Sequence, residues 1–117
     1  MDQAVQQYVD AIPAEHRPLF DRVHHLVLRI CPEASIGLSY QLPTYRVGRR
    51  RLYLGSWKHG VSLYGWKHGG DGGFSARHPE LVHGKGTIQL RSAAAAAVPD
   101  GELVALIRAV LIDHDDA

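Results

Sequence analysis

Hydrophobic positions along this chain follow two different spacings, helical at both ends and alternating in the middle. Val5, Tyr8, Val9 and Ile12 recur at helical spacing and predict a first helix over Asp2 to Ile12. A longer stripe follows: Leu19, Phe20, Val23, Leu26, Val27 and Ile30 share one face of a helix of about five turns. Pro13 opens that segment, Pro18 is tolerated near the helix start, and Pro32 ends it. Leu103, Leu106, Ile107, Val110 and Leu111 repeat the pattern after Pro99, predicting a last helix from about Asp100 to Ile112. Beyond it, Asp113, Asp115 and Asp116 would oppose the helix dipole and are expected to be frayed and solvated.

Between the helices the period drops to two. Ile36, Leu38, Tyr40 and Leu42 alternate with Ser35, Gly37, Ser39 and Gln41, which predicts one strand with a buried face and Tyr40 in the core. Pro43 interrupts it, Tyr45 to Val47 resumes, and Gly48-Arg49 makes a turn into Arg51 to Trp57. A turn at His59-Gly60 leads to Val61 to Trp66, and Gly86 to Arg91 supplies one more strand. The order predicts an α+β fold, an antiparallel sheet of four to five strands with two N-terminal helices and one C-terminal helix packed on its aliphatic face.

If the central hairpin closes with two residues, Lys58 faces Val61 and Trp57 faces Ser62. One face then carries Leu52, Leu54, Ser56, Val61 and Leu63, and Ile88 and Leu90 can join it. The other carries Tyr53, Gly55, Trp57, Ser62, Tyr64 and Trp66. A four-residue loop gives the same partition and a three-residue loop mixes the sets, so the segregation favours an even loop. The aromatic face must be covered by a second layer, matched to a second copy of the chain, or left as a ligand surface.

The composition narrows the function classes. In 117 residues, 13 Lys and Arg balance 12 Asp and Glu at net charge +1, so global electrostatics give no argument for nucleic acid or an anionic membrane. No apolar run approaches the roughly 20 residues of a membrane span. The N-terminal residues do not read as a secretion signal, and the expected compartment is the cytoplasm. The size fits one domain, 1–117. The lone Cys31 cannot form an internal disulfide, and its place at the end of a helix disfavours a thiolate, so it reads as a small buried residue.

Other motifs carry less chemistry. The segment 67–86 is a lid or a connector, with a short helical turn expected in Ala76 to His83. Gly84-Lys85-Gly86-Thr87 lacks the upstream glycine and the strand-loop-helix order of a phosphate-binding loop. Arg46, Arg49, Arg50 and Arg51 crowd one turn and read as solvated, although their chemistry could grip phosphate. The 8 histidines read as surface residues, and a metal site would need His68, His78 and His83 to converge. No serine sits in a nucleophile elbow. These residues favour a small binding or carrier domain for a small molecule or protein partner, without covalent catalysis. Tyr53, Trp57, Tyr64 and Trp66 are the expected walls, with Lys58, Lys85 and Arg91 as polar contacts. No cofactor is required on this reading, and a homodimer could close through the aromatic face.

Four stretches carry a family resemblance: Tyr8-Val9-Asp10-Ala11-Ile12-Pro13, then Ser39-Tyr40-Gln41-Leu42-Pro43-Thr44-Tyr45, then Gly84-Lys85-Gly86-Thr87-Ile88, and last Val98-Pro99. In this order and spacing the chain resembles the YdhG-like domain family, domain of unknown function 1801, from its first helix to its last. The resemblance implies a compact cytoplasmic α+β domain with an antiparallel sheet. It also implies a rival function, since some members are described as frataxin-like intracellular iron chaperones; in this chain such a role would have to use carboxylates, the hard oxygen ligands iron prefers, and histidines.

Overall fold

The computed structural model describes residues 2–66, 69–84 and 86–112. Helix α1 spans Gln3–Asp10, capped by the Asp2 carboxylate, which accepts from the Val5 N–H at 2.8 Å. Helix α2 spans Arg17–Ile30, with Pro18 in its first turn, where no intrahelical N–H is lost. Six strands follow in an antiparallel sheet: β1 (Ser35–Ser39), β2 (Leu42–Val47), β3 (Arg50–Trp57), β4 (Gly60–Tyr64), β5 (Val82–His83) and β6 (Thr87–Arg91). Their order across the sheet is β1-β2-β3-β4-β6-β5. Helix α3 (Phe74–Arg77) and a short 3-10 turn (Pro79–Leu81) lie between β4 and β5, and α4 (Asp100–Leu111) closes the described chain. The acidic residues 113, 115 and 116 lie outside it.

The α+β class is as the sequence predicts, and the sheet has six strands because two segments read differently. Ser35 to Leu42 is a hairpin, with Ser39 facing Leu42 across a two-residue turn at Tyr40-Gln41. Val82–His83, expected as part of a helical turn, pairs with β6 through Val82 to Ile88 and His83 to Thr87. The central hairpin closes at Lys58-His59, one residue earlier than predicted, with Trp57 facing Gly60 and Leu54 facing Leu63. The loop is still even, so the two faces keep their predicted members.

Leu52, Leu54, Val61, Leu63 and Ile88 are fully buried on the aliphatic face, Leu90 almost so, with Phe20, Val23 and Val27 of α2 and Leu103, Leu106 and Ile107 of α4 in the same core. Helix α2 packs on β4 and on α4, and α4 packs on β3. Arg22 ties these layers, donating to the carbonyls of Ala95 and Val98 at 3.1 and 2.6 Å and to the Asp100 carboxylate at 2.7 Å. Helix α1 lies along β1 and β2, with Val5, Val9 and, just after it, Ile12 in the same core, while its Asp2 cap and Tyr8 side chain reach the opposite side of the sheet. Gly37 and Gly55 both face that side, and a Cβ on them would meet the Asp2 carboxylate and the Tyr8 hydroxyl respectively. β2 pairs with β3 only as far as Tyr53, and beyond it the Ser56 N–H donates to the Tyr8 hydroxyl at 2.9 Å. The helix thus satisfies a strand donor that would otherwise be unpaired.

Two histidines expected at the surface are core residues. His16 is 4% exposed and His24 8% exposed. A carbonyl only accepts, so His16 Nε2 carries the proton and donates to Lys58 O at 3.0 Å, while Nδ1 lies 2.6 Å from the Ser92 hydroxyl. The first turn of α2 is thereby pinned to the β3–β4 turn. His24 Nδ1 meets the Tyr45 hydroxyl at 2.7 Å in the sheet-helix core. Helical spacing places His24 four residues after Phe20, within the buried stripe, and a ring with a satisfied nitrogen fills that position. Cys31 is fully buried, as expected. The segment 71–83 packs down on α4: Phe74 is fully buried, and the Glu102 carboxylate accepts from Arg77 at 2.7 Å and from His78 at 2.8 Å.

Candidate functional site

The sheet face opposite α2 and α4 carries two separate aromatic groups. At one end, Trp57 donates its indole N–H to Val61 O at 3.2 Å and shares it with Leu90 O at 3.4 Å, while Arg91 lies over the ring at 5.3 Å and His59 meets it edge-on. Gly60 faces Trp57 across the hairpin, and a Cβ on it would strike the backbone carbonyl of Leu90. Lys58 is exposed in the adjoining turn, and its carbonyl is used by His16.

At the other end, Tyr53 and Tyr64 face each other across β3 and β4 and stack at 4.8 Å with 12° between planes. Tyr40 reaches back from the β1–β2 turn to within 6.2 Å of the Tyr53 ring. Tyr53 is 8% exposed, whereas Tyr40 is 82% exposed, so the row runs from buried to open. Burial, and then the neighbouring Tyr53 and Tyr8 hydroxyls, push the Tyr64 phenol above its ordinary value. The sequence put Tyr40 in the core; the hairpin turns there, and its side chain points to solvent.

The turn itself is unfavourable for its residues. Tyr40 and Gln41 have φ of 53° and 63°, the left-handed conformation that two-residue hairpins demand and that Asn-Gly meets best. A Tyr there costs of order 1 kcal/mol or more. Gly65, at φ 124°, ends β4, and a Cβ on it would collide with the Tyr53 ring. The alternation therefore stops at Tyr64, and Trp66, expected beside it, packs against the main core.

Of the predicted site residues, the fold brings Tyr53 to Tyr64 and Trp57 to Arg91, and it keeps these pairs apart. Lys85 lies outside the described residues. The sequence reading missed Tyr40 and assigned Arg46 and Arg51 to a solvated turn. Across the Gly48-Arg49 turn, Arg46 faces Arg51 directly. Arg51 is two residues from Tyr53 on the same strand face, and Arg46 is two from Thr44, which faces Tyr53. Both arginines are exposed. A separate cleft of about 470 Å³ lies between this turn and the end of α4, lined by Glu33, Arg49, Arg50 and Leu111 among others, and none of the predicted site residues lines it.

Among the described residues no three His, Cys, Asp or Glu side chains are grouped to hold a metal ion; His68 falls outside them. Among them no helix is long and apolar enough to cross a membrane. No family model, no curated protein and no solved structure matches the chain.

Proposed function

We propose that the protein is a small binding domain that works without covalent catalysis, in the cytoplasm, and that its ligand is a planar organic molecule stacking on the tyrosine row. The observation that carries this reading is Tyr40. A large aromatic side chain stands 82% exposed on a turn whose backbone conformation disfavours it, in ring contact with a buried tyrosine. Strain at an exposed aromatic residue does not serve stability, and such strain concentrates where side chains meet ligands. Tyr53 and Tyr64 hold one another by stacking, so the row presents ring surface at little further entropic cost.

A second copy of the chain has no part in this reading, because Tyr8 of α1 already reaches Gly55 and the Ser56 N–H on this face within one chain. The Trp57 group is read as structural, since its indole N–H and ring faces are taken by the chain itself. The test is a ligand-observed NMR screen of planar aromatic compounds against the wild-type protein and Tyr40→Asn. The expected result is a set of compounds whose signals transfer with the wild type and not with the variant, while Trp57→Phe retains them. A screen in which Tyr40→Asn binds the same compounds equally well sinks the proposal.

A further inference from the structure

Arg46 and Arg51 are opposed across β2 and β3, which brings their Cβ atoms to about 5 Å, and like charges so placed repel. Neither guanidinium is hydrogen-bonded or ion-paired with any described residue, whereas Arg17, Arg22 and Arg77 each engage a carboxylate. Two exposed guanidinium forks at one register position, uncompensated among the described residues, match a dianion with several acceptor oxygens, since each fork can donate two parallel N–H bonds. The same strand face carries Tyr53 one pleat further along, and Tyr40 beyond it.

We propose that the ligand of the tyrosine row is a small phosphate monoester that also carries a planar aromatic or heteroaromatic ring, such as a nucleoside monophosphate. Its phosphate is held between Arg46 and Arg51 and its ring lies on Tyr40. The inference rests on the reading of the tyrosine row as a binding surface and adds the anionic group. Phosphate is preferred to a single carboxylate because it offers both arginines acceptors at once. A small molecule is preferred to a nucleic acid strand because the chain carries a net charge of only +1, and its arginines here are confined to one turn rather than laid out along a basic track.

The experiment is an amide NMR titration of the full chain with adenosine 5′-monophosphate, adenosine and inorganic phosphate, repeated with Arg46→Gln, Arg51→Gln and Tyr40→Asn. The expected result is saturable binding of the monophosphate with shifts at residues 40, 46, 51 and 53. Each arginine variant is expected to weaken it about ten-fold, the loss of one charge-assisted pair. Adenosine and inorganic phosphate should each bind at least about ten-fold more weakly than the monophosphate. If adenosine and its monophosphate bind alike, the arginine variants change nothing and Tyr40→Asn abolishes both, the anion assignment is overturned and the tyrosine surface stands. If the arginine variants matter and Tyr40→Asn does not, the tyrosine surface falls and with it this ligand class. Absence of binding by all three probes overturns the inference. A single-stranded oligonucleotide that binds far more tightly than the monophosphate overturns the small-molecule assignment.

Discussion

Replacing Tyr40 and Gln41 should make the protein more stable. Both residues sit at positive φ in the two-residue turn between β1 and β2. For an L-residue the left-handed conformation costs about 1–2 kcal/mol, and glycine escapes this cost. Gln41→Gly removes that strain but makes the unfolded chain freer, which returns about 0.4–1 kcal/mol, so the net gain is roughly 0.5–1 kcal/mol. Tyr40→Asn relieves somewhat less, since asparagine is only tolerant of this conformation. It also gives up a tilted ring contact at 6.2 Å from Tyr53, worth about 0.5 kcal/mol for a side chain so exposed. Together the two changes should raise stability by about 1 kcal/mol, or roughly 3–6 °C in Tm for a chain of this length. The two sites are adjacent, so the single variants must be measured beside the double one. Urea and thermal unfolding followed by circular dichroism read the effect directly. A Gln41→Gly protein that is less stable than wild type would refute the turn geometry, and the argument from Tyr40 strain would go with it. A stabilised Tyr40→Asn protein is also the control that the binding experiments need, because lost binding cannot then be blamed on lost structure.

Gly60→Ala should abolish cooperative unfolding or cost several kcal/mol, because its Cβ would enter the backbone of Leu90 on the neighbouring strand; a loss under about 1 kcal/mol in urea melts contradicts the β4–β6 packing. The Cys31 thiol, pushed up first by burial and then by Glu33 against the opposing Arg108, should fail to react with a disulfide reagent in the native protein and react promptly in guanidinium; fast native labelling would show the site to be open. His24 has its pKa lowered, first by burial and then by His25, so the unfolded chain takes up that proton before the folded one does. Stability should therefore be full above about pH 7 and fall as pH drops through the unfolded value near 6.5, by at most about 1.4 kcal/mol per unit. Urea midpoints between pH 7.5 and 5 should show this limb, flattened in His24→Leu, and an equal slope in that variant removes His24 as its cause.

The hairpin of β3 and β4 was legible in the sequence because its faces are segregated by residue type: the aliphatic set and the aromatic set tolerate any even loop, so closing at Lys58-His59 instead of His59-Gly60 left every side chain on its predicted face. The β1–β2 hairpin was illegible for the opposite reason. Ile36, Leu38, Tyr40 and Leu42 alternate without a break, and the turn carries neither glycine nor asparagine to mark it. In the fold that alternation is no stripe at all: Leu38 is 37% exposed at the sheet edge, Tyr40 is in solvent, and Leu42 packs beside Gly55 on the other face. A turn built from poor turn residues defeats pattern reading, because the pattern assumes that each residue suits its local conformation. The reach of Asp2 and Tyr8 to the far side of the sheet left a fainter trace. Gly37 and Gly55 point to the aromatic face, and glycine inside a strand marks the close approach of something else, here the Asp2 carboxylate and Tyr8. Arg46 and Arg51 could have been paired from the Gly48-Arg49 turn alone, since a two-residue loop there sets them opposite one another and on the side of Tyr53. What sequence alone does not disclose is that no described acid comes to neutralise them. The least legible residues, Tyr40 by its backbone and the two arginines by their missing partners, are those whose placement stability does not explain, and for that reason they are the ones from which the site is built.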